Sequence, residues 1–167
     1  MQRHKIEHEI HCPPERLWEL FFTDAFNIEM YEQGMGFPSC RVPEKTDDGK
    51  VLHRRMAMTP KVEMPKVLAK VVGDRIGFEE IGDWVRSVDE YRWQIVLAAF
   101  GDKVQIKGTM RLAPHGSGHC MRKVEFVVDT NVFGIGGVIE KTSAQNVLEG
   151  WNNSAKWING WFARNPA

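Results

Sequence analysis

The 167-residue sequence predicts an α+β domain in which a curved antiparallel sheet of about six to seven strands wraps around one long C-terminal helix. Three observations predict it. Short segments with period-two alternation follow one another from residue 38 to residue 132, broken by turn residues. Two short helical stretches rich in aromatics interrupt the pattern after its first strand. An apolar stripe at helical spacing then runs along residues 137–164.

The elements follow in order. Over residues 3–12, Ile6 and Ile10 share a face with His4, His8 and Cys12, and Lys5, Glu7, Glu9 and His11 share the other, the alternation of a half-buried strand. Pro13 and Pro14 stop it, because proline cannot donate to a ladder but suits a first helical turn. Residues 14–22 form a short helix with Leu17, Trp18, Phe21 and Phe22. Thr23 or Asp24 caps a second with Phe26, Ile28, Met30 and Tyr31, ending near Gly34 and Gly36. Residues 38–47 and 50–59 pair through the hairpin signal Asp47-Asp48-Gly49. Residues 65–73 lie between Pro65 and Gly73 and read as a two-turn helix, although their valines suit a strand equally. Strands at 75–85, 88–100, 103–113 and 119–132 complete an antiparallel meander. On the last helix Ala144, Val147, Leu148, Trp151, Ala155, Ile158 and Phe162 form the stripe. Glu140, Lys141, Gln145, Asn152, Asn153, Lys156 and Asn159 take the opposite face.

Composition removes several function classes. Hydrophobic residues are 43% and charged residues 26%, a globular balance in which one domain spans 1–167. Lysine plus arginine and aspartate plus glutamate are 22 each, so a nucleic-acid partner is not expected. No apolar run approaches the roughly 20 residues that span a bilayer, and residues 1–7 lack a signal-peptide core. A cytoplasmic protein is expected. Cys12, Cys40 and Cys120 are far apart and without C-x-x-C spacing, which predicts reduced, partly buried thiols.

The order strand, two short helices, antiparallel meander and long helix resembles the START-like superfamily (SRPBCC, helix-grip or Bet v 1-like fold). Local segments carry the likeness. Ile10-His11-Cys12-Pro13-Pro14-Glu15-Arg16-Leu17-Trp18 resembles that group's first strand passing into a helix with a buried aromatic. Val132-Phe133-Gly134-Ile135-Gly136-Gly137-Val138-Ile139-Glu140 resembles its glycine-bearing approach to the last helix. Within the superfamily the chain is similar to a bacterial START-like family of no assigned function, and more faintly to PRELI-type phospholipid carriers. The resemblance implies a helix-grip domain that holds a lipid or other hydrophobic small molecule in an internal cavity, without a cofactor.

The alternation says which side chains face such a cavity. Candidate ligand contacts are His8, Met56, Met58, Phe78, Tyr91, Trp93 and Ile95, together with Met110, Arg122, Phe126, Val147, Trp151 and Ile158. Such walls are apolar and rich in adaptable methionine and aromatics. Inward polar residues are His8, Glu80 and Arg122, with Tyr91 as a donor, and His8 and Arg122 are the pair expected to orient a ligand's polar head. No metal is expected. His4 and His8 on one strand face lie about 13 Å apart, His11 points away, and His115-Gly116-Ser117-Gly118-His119-Cys120 lacks a completing ligand set. Gly134-x-Gly136-Gly137 lacks the spacing and lysine of a phosphate-binding loop. Lys66 and Lys70 beside Val67, Leu68 and Val71, with Trp157 and Trp161, suit a transient contact with an anionic membrane surface. The leading expectation is a non-catalytic carrier or sensor. An enzyme of the polyketide cyclase or hydratase sort, using polar groups in the same cavity, and a protein-interaction module with a filled core remain as alternatives.

Overall fold

The computed structural model describes residues 1–166, so residue 167, the last of the expected domain, lies outside it. Strand β1 (Gln2–Ile10) is followed by α1 (Pro14–Phe21) and α2 (Asp24–Glu29), which runs into a single π turn over Met30–Gly34. The meander comprises β2 (Ser39–Asp47), β3 (Val51–Thr59), β4 (Phe78–Val85), β5 (Glu90–Leu97), β6 (Gly101–Pro114) and β7 (Cys120–Thr130). Helix α3 (Lys66–Val72) lies between β3 and β4, which settles the ambiguous 65–73 segment as helix. Helix α4 (Gly136–Arg164) is the last element in the order. No described helix is long and apolar enough to cross a membrane.

The strands form one antiparallel sheet in the order β1-β7-β6-β5-β4-β3-β2. After β1 the chain crosses through α1 and α2 to the far edge, and the meander returns strand by strand until β7 lies beside β1. Pro43 sits at the register break between Arg41 and Glu44 of β2. That strand is an edge, where a residue without an N–H is tolerated.

Register places the inner face in rows across the sheet. One row reads Leu52, Trp84, Tyr91, Met110, Val124 and Ile6. The next reads Arg54, Gly82, Trp93, Gly108, Phe126 and His4. The two glycines in the second row make space for aromatic rings. A Cβ on Gly82 would lie 2.2 Å from the Tyr91 hydroxyl oxygen. One on Gly108 would lie 2.3 Å from the Glu125 carbonyl oxygen and 2.7 Å from the Trp93 ring.

Helix α1 docks on this face through aromatic contacts. Trp18 stacks on Trp84 at 4.9 Å, and Phe22 stacks on the same indole at 5.2 Å. The guanidinium of Arg54 lies beneath, 4.7 Å from the Phe21 ring centre, and donates from Nη1 to the Phe21 carbonyl. Arg54 and Glu80 are both buried and meet at 3.4 Å. The Tyr91 hydroxyl donates to the same Glu80 oxygen at 2.8 Å. A buried carboxylate with two donors is thus matched in charge and hydrogen bonding, the condition under which a buried ion pair persists.

Helix α4 lays Ile139, Ala144, Ala155 and Ile158 against the sheet. One expectation about it is corrected. Asn152 and Asn159, assigned to the opposite face, join α4 to β1. The Asn159 side chain accepts from the His11 backbone N–H at 2.9 Å and donates to the Glu9 carbonyl at 2.9 Å. The reason is topological: β1 pairs only with β7, so its other edge offers free backbone groups. Trp157 and Trp161 flank the same contact. Both pack on Phe26, at 5.3 and 5.2 Å, and Trp157 lies flat on Gly34 of the π turn.

Gly82→Ala drives a methyl into the Tyr91 ring, so it is expected to lower unfolding free energy by about 1–3 kcal/mol. Urea denaturation of the purified variant measures this.

Candidate functional site

The sheet and α4 do not meet everywhere. Between them lies a cavity of about 180 Å³. For scale, a buried apolar cavity of about 150 Å³ takes up benzene. Phe78, Trp93, Ile95, Leu97 and Ile106 line it from the sheet, and Ile139, Val147, Trp151 and Ile158 from α4. Leu17, Phe21, Phe26, Met30 and Tyr31 close one side. Pro60, Val62 and Met64, with Leu68 and Val72 of α3, close another. A larger outer groove shares Phe37, Val62, Thr142, Asn146 and Gly150 with the cavity. It runs between α4 and the segment leading into α3.

Seven of the thirteen candidate contacts line the cavity: Phe78, Trp93, Ile95, Arg122, Val147, Trp151 and Ile158. Six do not, each for a local packing reason. Tyr91 turns across Gly82 to reach Glu80. Met56 and Met58 pack with Cys40 in a separate cluster under Tyr31 and Phe37. Met110 is wholly buried within the aromatic core. Phe126 stacks on His4 at 4.9 Å. His8 is drawn to α4, with Nε2 2.8 Å from Asn152 Oδ1. Alternation identifies the inner face but not which inner side chains are covered by others. The α1–α2 wall and the residue 60–77 wall contain none of the thirteen candidate contacts. A legible signal existed for α3, where Leu68 and Val72 are buried one turn apart while Val67 and Val71 are exposed.

The polar members gather around Arg122. This side chain is 1% exposed and comes from β7. Its Nη2 donates to the Trp151 carbonyl at 2.8 Å and meets His8 Nδ1 at 3.3 Å, and its guanidinium lies 4.8 Å from the centre of the Trp151 ring. Burial pulls its pKa down to about 10, so it remains charged at neutral pH. Taking such a charge out of water costs several kcal/mol unless it is matched. Burial and, secondarily, the Glu80 carboxylate push the Tyr31 phenol well up from its ordinary value, so it is a protonated donor. The π turn carries it to the cavity wall. Ser154, also on the wall, donates to the Trp151 carbonyl at 2.8 Å.

Other candidates fall outside the cavity. Cys120 does not join His119. It is wholly buried and packs in the same cluster as Cys12. His119 instead meets Glu9 at 2.7 Å and stacks on His11 at 4.8 Å. The ligating atoms of Glu9, His11 and His119 lie within 4.8 Å of one another. Glu9 and His11 share a face in the sequence, and the pairing of Ile10 with Cys120 between β1 and β7 brings His119 beside them. Gly134 adopts φ 83° in the turn before α4, a turn-forming role for that glycine.

His8 has a pH consequence. Burial, reinforced by Arg122, lowers its pKa from the ordinary 6.5, against the opposing bond to Asn152. The unfolded chain therefore takes up a proton that the folded chain resists. Stability is lost as pH falls through that ordinary value and levels off only below the lowered folded value. The melting temperature of the wild type should fall more than that of His8→Gln between about pH 7.5 and 5. Parallel slopes in thermal scans would contradict this.

The chain matches the model of a family described as "Protein of unknown function (DUF2505)" over residues 5–162. No curated protein matches it. Among solved structures it is similar to TTHA0849 from Thermus thermophilus, with TM-score 0.66 and 18% identity, covering 99% of this chain and 100% of that one. A START superfamily protein from Mycobacterium smegmatis gives TM-score 0.59 at 12% identity over 97% of both chains. The Zhui aromatase/cyclase from a Streptomyces species gives 0.57 at 11% over 94% of both. These likenesses establish the architecture, and the family match covers nearly the whole sequence: the chain belongs to the DUF2505 family and has the START-like helix-grip fold.

Proposed function

We propose that this protein binds an apolar small molecule or lipid in the cavity between α4 and the sheet, and holds it without transforming it. The observation that carries the reading is the cavity itself, about 180 Å³ and lined chiefly by aromatic and aliphatic side chains from four parts of the chain. Walls of that kind with a few polar groups are the usual make-up of small-molecule sites. Its size suits one ring or a short chain, and a longer tail would run out into the groove beside α4.

Holding is favoured over catalysis by the state of the polar groups. Glu80 is the carboxylate on the wall, and one of its oxygens already accepts from Tyr91 and Arg54. Those two contacts give the carboxylate partners within the chain. The similarity to an aromatase/cyclase keeps turnover as the competing outcome.

Native mass spectrometry of protein purified from its host is expected to show a co-purifying apolar molecule. An environment-sensitive dye should enter the wild-type cavity, and Val147→Trp, which fills it, should weaken dye binding about tenfold or more while the fold is retained. Unchanged dye affinity in a folded Val147→Trp would reject the cavity as the site. Turnover of a polyketide-like compound by protein purified empty would replace the carrier reading with the enzymatic one.

A further inference from the structure

We infer that the cavity's ligand is a monoanionic amphiphile, its carboxylate seated against Arg122, Tyr31 and Trp93 and its apolar body lying along Ile95 and Val147. This rests on the cavity reading above and specifies the ligand's chemistry.

Among the described residues the inner face of the sheet carries two buried arginines, and only one has a counter-charge. Arg54 meets Glu80. Arg122 forms no ion pair among the described residues, although it is more than nine-tenths buried and lines the cavity. Its two hydrogen bonds both use Nη2, and its Nε has no partner. A guanidinium has five N–H donors in a planar fork suited to a carboxylate. Carbonyl and imidazole contacts from Trp151 and His8 satisfy part of that fork and supply no net negative charge.

The surrounding groups have the same bias. Trp93 Nε1 is buried without a partner, and Trp93 also lines the cavity. Tyr31 is held protonated, and a phenol can donate. The wall's carboxylate, Glu80, is neutralised by Arg54. The enclosure therefore holds unused donors and one uncompensated positive charge. His8 does not add a second, because burial and Arg122 keep it neutral, and its Nε2 faces Asn152 on α4. An apolar molecule with one acidic group satisfies the charge and the donors together, whereas a neutral molecule of the same shape leaves both unmet. At about 180 Å³ the space admits a carboxylate on a short chain or one ring more readily than a bulkier phosphorylated head.

The test is titration calorimetry with a matched pair, octanoate and 1-octanol, near pH 7.5. Wild-type protein is expected to bind the acid at least about tenfold tighter than the alcohol. Arg122→Met should remove that preference, and Tyr31→Phe should reduce it without removing it. Equal wild-type affinities for acid and alcohol overturn the inference and leave the apolar-ligand reading standing, as does a preference that survives in Arg122→Met. Octyl phosphate binding more tightly than octanoate overturns the carboxylate assignment. Failure of all three probes to bind the wild type removes the cavity reading and this inference with it. The wild-type comparison needs no variant, so the test holds even if Arg122→Met does not fold.

Discussion

A seven-stranded sheet has an inner face wider than one helix can cover. Six inter-strand gaps of about 4.8 Å give about 29 Å, against a helix some 10–12 Å across. Curvature narrows the difference and does not remove it. The remaining face must be covered by other pieces of chain. The structure uses α1 and α2 with their π turn on one side, and α3 with its preceding segment on the other. Where these coverings fail to meet α4, a cavity remains. Its position follows from the mismatch in widths, and its lining from whichever side chains reach it.

The same mismatch explains the charge pattern. Arg54 lies under α1, where the Phe21 carbonyl, the rings of Phe21 and Phe22, and Glu80 surround it. That site is packed, and its charge is matched from within the chain. Arg122 sits under α4 near the gap, and its neighbours are a carbonyl, an imidazole and an indole. One arginine fastens the covering helix to the sheet. The other leaves a positive charge at the edge of an apolar space, which connects a feature costly to stability with the reading of the cavity as a binding site.

Small residues decide how closely the parts approach. Gly82 lets Tyr91 fold across the sheet to Glu80, which removes Tyr91 from the cavity wall and engages the carboxylate. Gly34 lets the Trp157 indole rest on the π turn. That contact ties the segment carrying Tyr31 to α4, and a change at either glycine would be felt at the cavity through these aromatic neighbours.

The element order and most element limits were legible in the sequence, because periodicity, proline, glycine and turn residues act locally. The strand face of Ile6, His8 and Ile10 and the α4 stripe from Ala144 to Phe162 could be read this way. Arg54 lies on the same strand face as Met56 and Met58 and is buried, yet it is absent from the inward polar residues expected from the sequence. What sequence could not settle was which inward side chains border empty space. Tyr91, Met110 and Phe126 share the inner face with Trp93 and Ile95, yet only the latter two reach the cavity. That depends on contacts across the fold: a ring lying over Gly82, a histidine stacked on Phe126, a helix crossing at Asn159. Local periodicity determined the sheet and the gripping helix. Only the tertiary structure decided where the grip stays open and that the charge beside the opening is an unpaired arginine, since both are set by side chains far apart in sequence.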